Sequence, residues 1–380
     1  MAANAKCRMA FARDCGRIVK EYGLDGIDID WEYPTSSEAG ISSSPDDTKN
    51  FTLLMRDLRK VLGKDKLLTC ATIADGKYVD FPACIKYMDF INIMAYDVAN
   101  PPQHHTTLFR SPLSGRITVS EAVEAHIRNG VPKEKLCLGM PLYGRGDHGD
   151  AILDKYMKTG YTGGLYQEHW DPIGQVPYLT DWSGQLVWGA ENPRSIAAKC
   201  QYIIDQGLLG GMYWETTEDN AQLDLMTTIN LSLMQNGRAT IPQKRVLLLT
   251  GANNNALQTL TTMGARHGFE VAVFRPNDTY TPGLFDRYHL VYNAGMQPDA
   301  WPTAARADFE KYIDEARGSY LVLNADTATT WKWYTDFYRH GYAKRARNVF
   351  YKRDAPLGYM PRAVSDVAAT EQAVKWLLRQ

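Results

Sequence analysis

The sequence predicts an α/β protein of two consecutive domains, each built on a parallel β-sheet covered by helices. Apolar runs of strand length alternate with amphipathic helical patterns along the chain. Continuous apolar strands separated by helices are typical of parallel sheets that are buried on both faces. The length of 380 residues suggests more than one domain, since a domain typically takes roughly 100–200 residues.

In the first domain, residues 1–235, helical stripes and strands follow each other in order. The first helix carries an apolar stripe from Phe11 to Tyr22 and is predicted to end at Gly23. A second helix, which Asp46 or Asp47 can cap, covers the stripe 51–62. Strands are predicted at 27–32, 67–73, 89–97, 136–143 and 208–214, and further helices near 120–129 and 194–206.

Residues 236–244, NGRATIPQK, contain Gly and Pro without apolar periodicity and are predicted to be a linker. The second domain, residues 245–380, repeats the alternation on a smaller scale. This pattern favours a doubly wound α/β layer fold. Its predicted strands are 245–250, 270–274, 290–294, 320–324 and 348–352, and its predicted helices are 255–267, 303–317 and 365–379.

Composition and charge argue against several classes of partner. A formal net charge of -1 gives no reason to expect nucleic acid or an anionic membrane as a partner, and no stretch approaches the roughly 20 apolar residues of a membrane span. His104-His105 lacks a third metal ligand at a recognisable spacing and is predicted to lie in a surface loop, so no metal or cofactor is expected. The cysteines occur singly and are expected to be buried small hydrophobes: Cys7, Cys15, Cys70, Cys84, Cys137 and Cys200.

The segment 24–34, LDGIDIDWEYP, carries the strongest chemical signal. Because side chains alternate along a strand, Asp28, Asp30 and Glu32 share one face and the apolar residues between them share the other. Carboxylates crowded on the inner face of a buried strand repel each other and cost free energy to desolvate. At least one should hold a proton at neutral pH, which is the condition for acid catalysis. Asp25 has the opposite parity and is predicted to be a turn residue.

Polar and aromatic clusters also close three other predicted strands. They are Met94-Ala-Tyr-Asp97, Tyr143-Gly-Arg145 and Gly210-Gly-Met-Tyr-Trp-Glu215. In barrels of alternating strands and helices, catalytic groups lie at the carboxyl ends of the strands. The shared location therefore predicts one active-site cleft.

These motifs resemble glycoside hydrolase family 18, the chitinase family, over residues 1 to about 235. The family's motif DxxDxDxE on strand four is matched by residues 25–32 and continues as WEYP. Its other motifs, MxYD on strand six, YxR on strand seven and a tryptophan on strand eight, are matched at Met94, Tyr96, Asp97, Tyr143, Arg145 and Trp214. Since only one helix precedes the carboxylate strand, the resemblance implies an incomplete TIM-type (β/α) barrel of strands four to eight, with exposed strand edges.

The resemblance also implies a reaction, the retaining hydrolysis of β-1,4 bonds in chitin or chitooligosaccharides without a protein nucleophile. Glu32 would protonate the leaving oxygen while the substrate's own acetamide attacks the anomeric carbon. Asp30 would orient that acetamide, Asp28 would share a proton with Asp30, and Tyr96 would donate a hydrogen bond to the acetamide oxygen. The substrate-binding residues would be Met94, Asp97, Tyr143, Arg145 and Trp214, with Trp214 stacking on the sugar.

Two further expectations come from comparing the chain with the family pattern. The connection between Gly146 and Pro177 is too short for the small α+β subdomain that many processive chitinases insert, so a shallow open groove is expected. The full-length parent is expected outside the cell or in the periplasm, although the first residues here lack the pattern of a signal peptide.

The second domain resembles the trehalose-utilisation (ThuA-like) branch of the flavodoxin- and amidotransferase-like folds. The matching segments are YLVLNAD (320–326), TTWKWY and NVFY (348–351), and Asn324 stands where that branch usually has histidine. Residues 236–380 contain no cysteine, which excludes the thiol nucleophile of glutamine amidotransferases. An accessory structural or sugar-binding role is expected.

Three alternatives to a chitinase stay open. A chitin lectin of the same fold typically loses the terminal acid, and the presence of Glu32 favours an enzyme instead. An endo-N-acetylglucosaminidase that acts on other glycans commonly lacks the combination of WEYP and MAYD. An inactive fragment is the third alternative, because the pattern of strands one to three is missing.

Overall fold

A computed structural model gives the structure of the protein and describes residues 1–146, 149–152, 166–220, 222–235, 238–251, 254–294, 296, 300–314, 319–323, 343–345, 349–351 and 367–378. The chain divides into two compact units. The first contains Met1–Leu153, Glu168–Asp219 and Leu225–Ile241, and the second contains Asn220–Asp224 and the described residues from Pro242 onward. Lys244, assigned to the linker from the sequence, is the first residue of a strand.

The first part of the chain alternates helices with strands and adds a group of short strands after the fourth. Its helices are α1 (Ala5–Glu21), α2 (Asp47–Leu62), α3 (Phe81–Cys84), α4 (Val119–Arg128), α5 (Pro193–Gln206) and α6 (Asp224–Asn230). Its strands are β1 (Gly26–Asp30), β2 (Leu67–Ile73), β3 (Phe90–Met94), β4 (Leu136–Pro141), β5 (Tyr143–Gly146), β6 (Gly149–Ile152), β7 (Gln167–Asp171), β8 (Val176–Thr180), β9 (Leu186–Gly189) and β10 (Gly210–Trp214).

The central sheet of the first unit has the order β1-β2-β3-β4-β10, and all of its neighbouring strands are parallel. These are the strands predicted from the apolar runs, in sequence order. The register places Asp30 beside Ala71 and Trp214 beside Pro141. Because the strands are parallel, their carboxyl ends lie along one edge of the sheet, where the polar clusters of the sequence are brought together.

The alternation predicted for β1 is present, but the carboxylate-bearing face is not buried. Ile29 is 9% exposed, whereas Asp28 and Asp30 are exposed residues. The prediction that both carboxylates lie on the inner face of a buried strand is therefore wrong. Each residue is exposed as a whole, although the carboxyl group of Asp30 itself is partly desolvated.

The predicted strand 136–143 is two strands that belong to different sheets. β4 ends at Pro141, and Leu142 donates its backbone N–H to the carbonyl of Trp214 at 2.7 Å. β5 then enters an antiparallel sheet of order β6-β5-β9-β8-β7. Tyr143 and Arg145 therefore belong to this second sheet. The prediction that they lie at the end of a parallel strand is wrong. The depth of the groove stays a prediction, since residues 153–165 lie outside the described part.

The second unit contains one mixed sheet of order β12-β11-β13-β14-β15-β16, in which β11 to β14 are parallel and β15 and β16 are antiparallel. Val246 and Leu248 pack with α7 and α9, whereas Leu247 and Leu249 pack with α8, so helices cover both faces of the sheet. Asn324 and the segment TTWKWY lie outside the described residues. The strands are β11 (Lys244–Leu249), β12 (Phe269–Phe274), β13 (Leu290–Ala294), β14 (Ser319–Leu323), β15 (Ala343–Arg345) and β16 (Val349–Tyr351), and the helices are α7 (Asn254–His267), α8 (Thr303–Asp314) and α9 (Val367–Leu378).

Candidate active site

Asp28 is held by side chains from the two strands that follow β1 in the sheet. Its Oδ1 accepts a hydrogen bond of 2.5 Å from Thr69 Oγ1 on β2 and one of 3.1 Å from Asn92 Nδ2 on β3. Sequence reasoning missed both partners, although Asn92 has the same strand parity as Met94 and Tyr96. The two donors fix the orientation of the Asp28 carboxyl group.

Asp30 lies between Asp28 and Glu32 on its face of the strand, and with Asp25 these acids form the tetrad of the DxxDxDxE motif. Burial of its carboxyl group, followed by the negative charges of Glu32 and Asp28, raises the pKa of Asp30 to about 6. A carboxyl group with that pKa is about half protonated near pH 6. Asp30 can therefore take up and release a proton near pH 6, which suits acid–base chemistry.

Tyr33 is a neighbour of Glu32 that the sequence did not single out. Burial and a hydrogen bond to Glu32 raise the pKa of the Tyr33 phenol, which therefore stays a hydrogen-bond donor. Its ring stacks on that of Tyr78, with 6.1 Å between the centroids. Tyr78 follows β2 and its carbonyl accepts a hydrogen bond of 2.9 Å from Thr48 Oγ1. An aromatic pair thus lies beside the expected acid.

A second polar group is centred on Asp97, which follows β3. Tyr143 donates its hydroxyl to Asp97 Oδ1 at 2.6 Å, and Arg145 Nε lies 3.3 Å from the same oxygen. Burial opposes ionisation of Asp97, but hydrogen bonds from His105 and Tyr143, with the charge of Arg145, outweigh it and lower the pKa of Asp97. The group is an anion that faces several donors, a suitable arrangement for holding sugar hydroxyls.

Tyr96 lies between the two acidic groups. Burial and then the charges of Asp97, Asp30 and Glu32 raise the pKa of Tyr96, so its hydroxyl keeps its proton. Its ring meets the ring of Tyr143 edge to face at 6.3 Å. Tyr96 is therefore available as a hydrogen-bond donor between the tetrad and Asp97.

Strand register brings Met94 and Trp214 to the same edge of the sheet. Met94, partly buried, is the last residue of β3 and pairs with Ile73. Trp214 is the last residue of β10, and its side chain is 52% exposed. An indole with that much accessible surface can stack on the apolar face of a sugar ring.

His104 and His105 do not lie in a surface loop, and that prediction is wrong. Both residues are 0% exposed. His105 Nδ1 lies 3.3 Å from Asp97 Oδ1, and His104 Nε2 lies 3.1 Å from the carbonyl oxygen of Pro177 on β8. The sequence carries no local signal for this burial, because the burial depends on contacts of the two rings with Pro177 on β8 and with Asp97.

A fully buried ion pair lies behind the histidines. Lys199 Nζ on α5 donates to Glu191 and to Thr106 Oγ1, the latter at 3.0 Å, and both Lys199 and Glu191 are 0% exposed. Ser195 donates its hydroxyl to Glu191 as well. Sequence reasoning missed this pair, because a helical lysine and a loop glutamate are usually surface residues.

The cysteines are buried as expected, except for Cys7, which is exposed. Within the described ranges, no helix is long and apolar enough to cross a membrane. The same residues contain no group of three or more His, Cys, Asp or Glu side chains that could hold a metal ion.

Comparisons with known proteins found similar sequences and similar solved structures. The model of the family described as "Glycosyl hydrolases family 18" matches residues 1–219. Chitinase A1 of Niallia circulans is 31% identical over 266 residues, which cover 58% of this chain and 38% of that protein. A probable endochitinase of Caenorhabditis elegans is 29% identical over 264 residues, which cover 58% of this chain and 41% of that protein. The chain therefore spans less than half the length of these relatives.

A match to one solved structure extends over a larger share of the matched protein. That protein is a glycoside hydrolase family 18 N-acetylglucosaminidase from Paenibacillus barengoltzii, with 33% sequence identity and a TM-score of 0.56. The match covers 60% of this chain and 76% of that one. The likeness supports an α/β fold of the TIM-barrel type for the first unit.

Proposed function

Because the chain belongs to glycosyl hydrolase family 18, we propose that it hydrolyses β-1,4 bonds between N-acetylglucosamine units of chitin or chitooligosaccharides. The names of two relatives, chitinase A1 and a probable endochitinase, support this substrate class. Since a long polysaccharide does not cross a bilayer, the reaction takes place outside the cytoplasm. The central sheet corresponds to strands four to eight of a TIM-type barrel, and its strand order supports that correspondence.

The observation that carries the proposal is the crowding of three acids, in which burial and the negative charges of Glu32 and Asp28 raise the pKa of Asp30 to about 6. Glu32 in its protonated form donates its proton to the glycosidic oxygen, and the bond from that oxygen to the anomeric carbon breaks. The substrate's acetamide oxygen attacks the anomeric carbon from the other side, and a water molecule later opens the resulting oxazolinium ion. Glu32 then accepts a proton from that water, which restores the acid.

The remaining tetrad residues stabilise the charge that develops on the acetamide. Asp30 orients the acetamide N–H and balances the positive charge of the oxazolinium ion. Asp28, whose Oδ1 already accepts hydrogen bonds from Thr69 and Asn92, exchanges a proton with Asp30 during the cycle. Tyr96 keeps its hydroxyl proton and donates a hydrogen bond to the acetamide oxygen.

The second polar group and the exposed indole bind the sugar. Asp97, held by Tyr143 and Arg145, accepts hydrogen bonds from the sugar next to the scissile bond. Met94 lines this part of the edge. Trp214 provides the stacking surface, which its 52% exposure supports.

For the second unit we propose a doubly wound, ThuA-like domain with an accessory structural or sugar-binding role. The parallel order β12-β11-β13-β14 and the helices on both faces support this fold. Direct titration of the full chain with N-acetylglucosamine oligomers, after Trp214→Ala removes the stacking surface of the first unit, would show any second binding site.

The proposal is tested with two matched tetramers, one of N-acetylglucosamine and one of glucosamine. Since the substrate must supply its own acetamide, only the acetylated tetramer should be cut, with retention of the anomeric configuration detected by NMR. Cleavage of the deacetylated tetramer at a comparable rate would contradict substrate assistance and make Asp28 or Asp30 a candidate nucleophile. Binding of the acetylated tetramer without any cleavage would favour a glycan-binding protein instead.

The solved neighbour named an N-acetylglucosaminidase supports a second candidate within the same chemistry, the release of single N-acetylglucosamine units. The chain lengths of the products distinguish the two. A chitinase with an open groove cuts a hexamer internally into dimers, trimers and tetramers, whereas the alternative produces monomer and pentamer first.

A further inference from the structure

His105 is a fully buried imidazole directly against Asp97. Its Nδ1 lies 3.3 Å from Asp97 Oδ1, and the backbone N–H of Asp97 is directed at the same nitrogen at 3.4 Å. Its ring lies 5.5 Å from the ring of Tyr143, the other residue that contacts Asp97 Oδ1. Asp97 is therefore held from two sides, by the phenol of Tyr143 and by the imidazole of His105.

The surroundings of the ring decide where its proton lies. Among the described residues, His105 Nε2 is buried and has no hydrogen-bond partner. A proton on Nε2 would bury an unsatisfied N–H and would also turn the lone pair of Nδ1 toward the carboxylate of Asp97. A proton on Nδ1 avoids both costs and lets Nδ1–H donate to the carboxylate of Asp97. This charge-assisted contact outweighs the longer one from the Asp97 backbone N–H, which Nδ1 then no longer accepts.

The ring also stays neutral at ordinary pH. Burial, and then the positive charges of Lys199 and Arg145, lower the pKa of His105 and outweigh the opposing effect of Asp97. The titratable and charged groups around the contact are Tyr96, Tyr143 and Arg145 beside Asp97, and His104, Tyr143 and Lys199 beside His105. A neutral imidazole with one proton is therefore the form that contacts Asp97.

Several buried contacts fix the segment that carries His105. His104 stacks on His105 at 5.5 Å, and a Cβ atom at Gly189 would lie 2.8 Å from His104 Cδ2, so β9 leaves room for the ring only with glycine there. Thr106 Oγ1 donates to the carbonyl of Ala95 at 3.0 Å and accepts from Lys199. The imidazole cannot move away from Asp97 without breaking this buried network.

We propose that His105 is a positioning residue for the reaction proposed above. Its Nδ1–H donates to Asp97 and holds the Asp97 carboxylate toward Tyr143, Arg145 and the bound sugar. The inference rests on the proposed function, in which Asp97 binds the sugar next to the scissile bond. His105 does not touch the reacting atoms and acts through Asp97.

Two substitutions of nearly equal size separate positioning from packing. In His105→Asn the side-chain amide nitrogen takes the place of Nδ1 and can still donate to Asp97, whereas His105→Leu fills the space without a donor. We expect kcat/KM on the acetylated tetramer to fall about 10–100-fold in His105→Leu and to stay within about threefold of wild type in His105→Asn. Equal losses in both variants, or no loss in His105→Leu, would overturn the proposal.

A spectroscopic measurement tests the contact independently of activity. Long-range ¹H–¹⁵N spectra of the histidine-labelled full chain, with the His105 signals assigned by their absence in His105→Asn, report which ring nitrogen carries the proton. We expect the proton on Nδ1 at neutral pH, and a proton on Nε2 would overturn the proposal. If the proton is on Nδ1 but wild type cuts no chitooligosaccharide, the proposed function fails while the contact stands.

Discussion

Thr69 and Asp28 face each other across the first two strands of the central sheet, with Thr69 Oγ1 2.5 Å from Asp28 Oδ1. A neutral hydroxyl on the neighbouring strand thus orients a carboxylate of the tetrad. The contact explains how Asp28 can keep a fixed position although the residue is exposed. Because Thr69 is neutral, it can be substituted without changing the charge of the acidic site.

We first predict that Thr69→Val lowers kcat about tenfold, whereas Thr69→Ser keeps most of the activity. Valine has the shape of threonine and lacks the hydroxyl, so Asp28 loses the hydrogen bond that orients its carboxyl group. Serine keeps the hydroxyl. Steady-state kinetics on the acetylated tetramer, with unfolding midpoints as the control for folding, check the pair. Similar kinetics for both variants would mean that the hydroxyl does not orient Asp28.

A second prediction concerns the proton donor. Glu32→Gln keeps the shape of the side chain and removes the acid, so turnover should fall by roughly 10²–10⁴-fold while the affinity for oligosaccharide changes little. Glu124→Gln on the exposed surface of α4 is the matched control and should leave both values unchanged. Activity of Glu32→Gln close to that of the control would point to another donor.

The pH dependence of stability should reveal Asp30. Its pKa is about 6 in the folded chain against 3.8 for the model compound, so protonation favours the folded state. This contribution is fully present below about pH 3.8 and is lost as the pH rises through about 6. Asp30→Asn should therefore be more stable than wild type at pH 7, by roughly 1 kcal/mol after allowance for solvent screening.

Urea unfolding of wild type and Asp30→Asn at pH 4, 5, 6 and 7 measures this difference. The advantage of the variant should shrink steadily toward pH 4. A difference that does not depend on pH between 4 and 7 would show that Asp30 titrates at its ordinary pKa.

The buried ion pair of Lys199 and Glu191 should add little to the net free energy of unfolding, but removal of only one partner should be strongly destabilising. Lys199→Met leaves the Glu191 carboxylate buried without its partner, which should cost about 3–5 kcal/mol. The double variant Lys199→Met/Glu191→Leu removes both charges and should recover most of that loss. Free energies of unfolding in denaturant decide the matter, and a double variant as unstable as the single one would contradict this account.

Much of the fold and of the expected site could be predicted from residues close together in sequence. Apolar runs predicted the strands of the central sheet, and the alternation in 24–34 put Asp28 and Asp30 on the face opposite Ile29. The motifs at 25–32 and 94–97 led to the family, and the match of residues 1–219 confirmed it. Local patterns suffice here because strand formation and side-chain parity depend on neighbouring residues.

Contacts between distant segments were not predictable in the same way. Nothing around Leu142 shows that β5 leaves the parallel sheet, since the apolar run continues through it. The burial of His105 depends on Asp97, Tyr143 and the Lys199–Thr106 hydrogen bond, which joins residues 93 positions apart.

The sequence by itself therefore determined the strands, the alternation of the tetrad and the kind of chemistry that its carboxylates can perform. Only the tertiary structure decided which neutral side chains hold those carboxylates and that the pair His104-His105 is buried. The physical reason is that hydrophobic periodicity reports which face of an element is covered and not which partner covers it. That partner is chosen by packing and hydrogen bonding between segments whose approach no local pattern encodes.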